Sequence, residues 1–231
     1  MKKYKRVVND KEYQDAAKFT FIYVIVSVVI EIILGLFLAF LFNRRIYGRG
    51  FMRSLMILPI FATPFAIGFM FFTILFEISG PLAWMGIPFL SNHNWAPFSV
   101  MLVDVWQWTP FCFLVFLAAL QGIPDDLIEA ATLDTKSAYK IWTSVILPLL
   151  QPIIVLVILL RVAEAAKLYD YIASLTKGGP GTATQSVSFL VFNKAFKMND
   201  FGYASAGSFL MLIVVMIFVM LFFTRLIKTY E

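Results

Sequence analysis

An all-α, polytopic membrane helix bundle is the fold class the sequence predicts, and three observations predict it. First, 61% of the 231 residues are hydrophobic and only 14% are charged, with a mean hydropathy of +0.84; a soluble domain carries about 25% charge and about 45–50% apolar residues. Second, the apolar residues come in continuous blocks long enough to cross about 30 Å of hydrocarbon at about 1.5 Å per residue. Third, the blocks lack the residue-by-residue alternation of a barrel, and lipid offers no water to unpaired backbone, so they are expected to be helices. A water-soluble enzyme is excluded as the default. Cys112 and His93 are the sole residues of their kinds, which excludes an intrachain disulfide and a cysteine metal cage and argues against zinc. The net charge of +5 suits the cationic rims of a membrane protein better than nucleic-acid binding.

The whole of 1–231 reads as a single transmembrane domain with five spans, near 17–42, 54–78, 98–121, 149–173 and 204–227. Residues 2–18 form a polar amphipathic lead carrying Lys2, Lys3, Lys5 and Arg6. The first span holds Glu31, with Gly35 and Ala39 as small residues that admit a close neighbour. Arg44, Arg45, Arg49 and Arg53 in the next loop, and Arg225 and Lys228 in the tail, place both segments on the cytoplasmic side. The loop 79–97 has no Lys or Arg and falls outside. Five spans then put the basic N-terminus outside, against the usual preference of cationic starts. Gly68 is the small residue of the second span.

The third span reads Asp104-Val-Trp106-Gln107-Trp108-Thr109-Pro110-Phe111. Asp104, Gln107 and Phe111 share one face, and Trp108 neighbours Asp104 one turn on. Aromatic faces beside carboxylate and amide anchors suit a sugar, whereas the tryptophans alone also fit an interfacial belt. Pro110 is expected to free a carbonyl and kink the helix.

Between the third and fourth spans lies the cytoplasmic segment 122–148. Pro124, Asp125 and Asp126 favour a helix start. A short helix is expected to follow, then a turn at Asp134-Thr135-Lys136-Ser137, then a second short helix capped by Ser137, with Pro148 marking entry to the span. On physics alone the segment is either a coupling knob or a plain interfacial hairpin. The fourth span carries Arg161, Glu164, Lys167 and Asp170 at a spacing of three. Charges at membrane depth cost roughly 2.5–3.5 kcal/mol each on insertion scales, so this stripe faces either a partner helix, neutralised along its own length, or a wet path. The loop 176–203 contains Gly178, Gly179, Pro180 and Gly181 but neither the Lys-Ser/Thr nor the preceding strand of a phosphate-binding loop.

Glu129-Ala130-Ala131, followed by Leu147-Pro148, resembles the EAA loop of ABC-importer permeases. Leu120-Gln121-Gly122-Ile123-Pro124, Arg49-Gly50-Phe51-Met52-Arg53 with Leu58-Pro59, and Phe201-Gly202-Tyr203-Ala204-Ser205-Ala206 are similar to stretches of the same family. So is Tyr169-Asp170, followed by Leu175-Thr176-Lys177-Gly178-Gly179-Pro180-Gly181 and Ala183-Thr184, which resembles the carbohydrate branch (maltose, trehalose and glycerol-phosphate importers). The resemblance spans nearly all of residues 4–228. It implies a type I importer permease fold, a six-span core here lacking its first span. It implies that Asp125, Glu129, Ala130, Ala131, Asp134, Thr135, Leu147 and Pro148 couple to a cytoplasmic ABC ATPase dimer. The outer loop at Gly178–Gly181 would meet an extracytoplasmic solute-binding protein. Where the family has Gly after the EAA stretch this chain has Thr135, and Val145 replaces an Ile. Thr disfavours a left-handed turn, so Asp134 or Lys136 is expected to take the strain.

The expected function is therefore the permease subunit of a carbohydrate importer in a bacterial or archaeal inner membrane, with a cytoplasmic C-terminus and membrane lipid around it. A second permease subunit would complete the pathway. ATP and Mg would be bound by the ATPase partner, with no cofactor in this chain. The substrate path would draw on Asp104, Gln107, Trp108, Phe111, Glu164, Tyr169 and Asp170. The alternatives are a permease for another solute, such as an amino acid or phosphate, and, remotely, an intramembrane enzyme.

Overall fold

Several helices of the bundle begin where a polar side chain satisfies a free amide. The computed structural model describes residues 2–43 and 47–228; Arg44 and Arg45, and the side chains of Lys2, Arg225 and Lys228, lie outside the described residues. The elements are α1 (Lys2–Val8), α2 (Lys11–Asn43), α3 (Arg49–Phe61), α4 (Pro64–Leu75), α5 (Trp95–Gln121), α6 (Asp125–Asp134), α7 (Ala138–Ile141), α8 (Leu147–Ala165), α9 (Val187–Phe192) and α10 (Phe201–Lys228). Asp10 accepts from the Glu12 amide, Asn92 from Trp95, Ser137 from Lys140, Ser186 from Phe189 and Asp200 from Tyr203. Each bond pairs an amide that the first helical turn leaves open.

Among the described residues, four helices are long and apolar enough to cross a membrane: Lys11–Asn43, Trp95–Gln121, Ala138–Ala165 and Phe201–Leu221. The expected second span, 54–78, is broken. Arg49–Phe61 and Pro64–Leu75 meet at 101°. Pro64 forces extended backbone on Thr63 (φ −68°, ψ 142°), Ala62 is extended as well (φ −87°, ψ 144°), and the Thr63 hydroxyl then caps α4.

The expected second helix of the loop is part of the fourth span. Helix α7, the π turn Trp142–Ile146 and α8 run on as one rod, Ala138–Ala165. The rod stops at Ala165, short of the expected residue 173, and a second π turn follows at Ile172–Thr176. Pro124 sits one position before the helix, as its cap, and Asp125 and Asp126 fill the first turn. Thr135 is extended (φ −153°, ψ 139°), and its hydroxyl accepts from the Ser137 amide. The turn therefore needs no left-handed residue, and neither Asp134 nor Lys136 is strained. Pro110 lies within an α5 that continues to Gln121.

Helices α2 and α5 form the central pair. A Cβ at Gly35 would lie 2.6 Å from the Cys112 Cβ, so only glycine lets the two backbones come this close. Ala39, Phe42, Cys112, Phe113, Phe116, Leu150 and Val157 pack into the core at the α6 end of the bundle. Arg53 ties α3 there by donating to the Phe42 carbonyl at 2.8 Å. At the opposite end, Val7, Tyr13, Ala16, Val187, Leu190, Tyr203 and Ala206 form a smaller core. The basic N-terminal lead is fastened there: Arg6 to Asp200 at 3.2 Å, Tyr203 to Asp10 at 2.7 Å, Lys194 to Glu12 at 2.7 Å. The N-terminus and the 176–203 loop thus share one end of the bundle, and Arg53 and α6 share the other, as the five-span order predicts and against the preference of a basic start for the arginine side.

Candidate functional site

Three charged residues that the sequence places at membrane depth meet in the middle of the bundle. Arg161 of α8 donates to Glu31 of α2 through Nε (2.6 Å) and Nη2 (2.8 Å), and Nη2 also reaches both oxygens of Asp104 on α5 at 3.3 Å. All three are buried, with relative exposures of 1%, 0% and 2%. The sequence could not locate this cluster, because Arg161 and Glu31 lie 130 residues apart. In-helix pairing along the 161–170 stripe holds only in part: Lys167 pairs with Glu164 at 2.7 Å on the exposed side, while Arg161 turns across the bundle. A guanidinium fits this place because its planar fork matches a carboxylate in two parallel bonds and keeps its charge. Removing either partner would leave a buried charge uncompensated.

A polar chain continues from this cluster. The Arg161 guanidinium lies over the Trp108 ring, 4.6 Å from its centroid. Trp108 Nε1 donates to the Tyr171 hydroxyl (3.1 Å), Tyr171 donates to Gln107 Oε1 (2.5 Å), and Gln107 Nε2 donates to the Ala62 carbonyl (2.9 Å). That carbonyl sits in the break between α3 and α4. Gln107 therefore supplies the partner for a backbone group at the 101° bend. Gly68 supports the same junction, since a Cβ there would lie 2.0 Å from the Ser174 hydroxyl oxygen.

A cleft of about 240 Å³ opens over the cluster, lined by Asp104, Trp108, Arg161, Glu164, Lys167 and Asp170 among others. Of the residues expected on a substrate path, Asp104, Trp108, Glu164, Tyr169 and Asp170 line it. Gln107 stands behind the wall, and Phe111 packs edge-on to Trp108 at 6.1 Å and into the core at the α6 end. Tyr23, Pro64 and Tyr171 also line the cleft and were not foreseen. Thr63-Pro64, a cap residue before a helix-starting proline, was a signal for the break beside it; Tyr23 carried none. A neutral polyhydroxylated ligand would find carboxylate acceptors and aromatic faces here, the mix such pockets use.

The second group of expected residues lies at one end of the bundle. Helix α6 carries Asp125, Glu129, Ala130, Ala131 and Asp134 and buries none of its residues. Glu129 and Ala130 are exposed and Ala131 is half-buried. Thr135 ends α6, and Leu147 and Pro148 stand at the start of α8. Leu133 is 89% exposed and Tyr139 76%, so the knob presents apolar side chains as well as carboxylates. Gly178, Gly179, Pro180 and Gly181 lie at the other end, in a turn that Thr184 closes by donating to the Gly179 carbonyl at 2.7 Å. Gly178 and Gly181 have positive φ, 88° and 60°, which glycine tolerates.

Comparison with known proteins agrees with this layout. Residues 31–231 match the family described as "Binding-protein-dependent transport system inner membrane component". The chain is 37% identical over 230 residues to the trehalose/maltose transport system permease protein MalF of Thermococcus litoralis, covering 96% of this chain and 77% of that one. It is 33% identical to the trehalose transport system permease protein SugA of Mycobacterium tuberculosis, covering 95% and 73%. The sn-glycerol-3-phosphate transport system permease protein UgpA of Agrobacterium fabrum is 29% identical, with coverage of 90% and 74%. A chain from the crystal structure of a bacterial ABC transporter that imports the acidic polysaccharide alginate superposes with a TM-score of 0.88 at 20% identity, covering 100% of this chain and 84% of that one. With this family match over most of its length and relatives at 37% and 33% identity, the chain belongs to the binding-protein-dependent transport system inner membrane components.

Proposed function

We propose that this chain is the permease subunit of an ATP-binding-cassette importer for a carbohydrate, set in a prokaryotic cell membrane with its C-terminus and α6 on the cytoplasmic side. The observation that carries the reading is the rod Ala138–Ala165. It follows α6 after the short turn at 135–137 and then runs unbroken to Arg161 and Glu164 in the cleft wall. At about 1.5 Å per residue such a rod is about 40 Å long, the scale of a bilayer. Helix α5 enters the knob from the other side and carries Asp104 and Trp108. A partner that displaces α6 therefore moves both walls of the cleft together. Alternating access then needs only that the partner's nucleotide states favour different positions of the knob.

A separate ATPase dimer is the partner expected at α6. Glu129 supplies a charge, Ala130 and Ala131 allow close approach, and Leu133 gives apolar area. A second permease subunit would complete the pathway, and a solute-binding protein would meet the Gly178–Gly181 end. The relatives' names include trehalose and maltose systems, and the cleft's acceptors and aromatic rings suit such sugars. The test is uptake and nucleotide hydrolysis by the assembled transporter. Glu129→Ala is expected to keep the complex folded and to uncouple hydrolysis from uptake. Trp108→Ala is expected to impair uptake while leaving ATPase docking intact. Normal uptake in both variants would refute the reading.

A further inference from the structure

Among the described residues that line the cleft, Arg161 is the buried cation, the group an anionic sugar would seek. A guanidinium binds a carboxylate or phosphate through the paired donors that Arg161 directs at Glu31. Nε and Nη2 both go to Glu31 at 2.6 and 2.8 Å, Nη2 also faces Asp104, and the ring of Trp108 covers the planar face. Glu31 does not line the cleft; it holds Arg161 from behind, on α2. The local charge points the same way. Four carboxylates (Glu31, Asp104, Glu164, Asp170) stand against two cations (Arg161, Lys167), a formal balance of −2. Lys167 is itself engaged by Glu164.

We propose that Glu31 is a specificity-determining residue that acts through Arg161: by occupying the guanidinium it makes the cleft select uncharged sugars against anionic ones. This rests on the reading of the cleft as part of the sugar path. The role is one of positioning, because Glu31 touches Arg161 and no ligand. Its removal should change which sugar is bound before it changes whether sugar is bound.

The experiment is competition for bound radiolabelled trehalose on the purified, assembled transporter without its binding protein. Methyl α-glucoside and methyl α-glucuronide are the competitors, differing only by a hydroxymethyl against a carboxylate. In the unsubstituted protein the glucuronide should compete about tenfold more weakly, from like-charge repulsion. Glu31→Gln frees the paired donors and should narrow the gap to roughly threefold or less. Glu31→Asp keeps the charge but is one methylene shorter and cannot hold both donors; it should narrow the gap part-way, and it provides the reading if the Gln variant fails to assemble. The double variant Glu31→Gln/Arg161→Gln removes the guanidinium and should restore discrimination. Asp104→Asn removes one negative charge while leaving Glu31 on Arg161, and should narrow the gap less than Glu31→Gln does. Equal narrowing in Asp104→Asn, persistence in the double variant, or no narrowing in assembled Glu31 variants each overturns the proposal. The reading of the cleft fails separately, if Trp108→Ala and Tyr169→Ala leave trehalose binding and uptake unchanged.

Discussion

The ionic cluster in mid-bundle and the knob at the end of α5 are both polar, but they are completed in different ways. Glu31, Arg161 and Asp104 are satisfied by one another, and Trp108, Tyr171 and Gln107 extend the bonding to the Ala62 carbonyl. Helix α6 has no side-chain cap at its start and buries none of its residues against the remainder of the chain. The first region therefore contributes to the stability of this polypeptide. The second contributes little to it and leaves carboxylates and Leu133 exposed, the surface proposed above to meet a partner. A buried polar group must find its partners inside the fold, because lipid and core supply none, whereas an exposed one is free to be selected for binding.

Substitutions can break that contrast, beginning with the largest effect. Arg161→Met leaves two carboxylates buried without a cation and should cost about 3–5 kcal/mol, read as lost yield and a lowered thermal midpoint of the detergent-purified transporter. If the loss is as small as for a surface change, the cluster does not hold the bundle. Gly35→Ala forces a methyl against Cys112 where the distance is 2.6 Å and should cost about 1–3 kcal/mol by overpacking. Tyr171→Phe removes the hydroxyl between Trp108 and Gln107 and should cost about 1–2 kcal/mol. Glu129→Ala should shift the thermal midpoint by an amount equivalent to less than about 0.5 kcal/mol while abolishing coupled uptake; a large destabilisation would mean the knob is structural after all.

The smallest effect sharpens the contrast at a place between the two extremes. Glu77, in the loop after α4, accepts from the Leu90 and Ser91 amides at 2.7 Å each. Its partial burial pushes the carboxyl's pKa up, but the bonds from Ser91 and Leu90 outweigh this and hold it below the ordinary value. A depressed carboxylate pKa stabilises above the unfolded pKa, and the stabilisation fades as pH falls through the folded one. Acidification from about pH 6 to about pH 3 should therefore lower the protection of the Leu90 and Ser91 amides relative to their intrinsic exchange rate at each pH, and Glu77→Gln should remove that change in protection.

Continuous apolar runs disclosed the long helices, and the arginine pattern disclosed which loops share an end, because both follow from local composition against a fixed solvent. Ser137 as a cap and Gly35 as a contact were equally local and equally legible. Arg161 was visible as a misplaced charge, but its partner was not: spacing along the fourth span favoured a neighbour three residues away, and the bundle offered Glu31 from another helix. The break at Ala62–Thr63 was legible in Thr63-Pro64, but the unbroken hydropathy from 54 to 78 hid it. The extended Thr135 was hidden for a different reason: several backbone routes close a turn, and the family's glycine marks only one of them.

The π turn at Trp142–Ile146 has a consequence for how the rod is indexed. Such a turn stores one residue more than a regular α-helix would hold over the same rise, and each α-helical residue advances the side chains by about 100°. Upstream of the surplus, Trp142 meets Phe40 with ring centroids 4.9 Å apart; downstream, Leu150, Val157 and Arg161 face the core. The surplus residue offsets the two ends of one shaft by a fixed angle, so the knob's azimuth and the direction of Arg161 are set together.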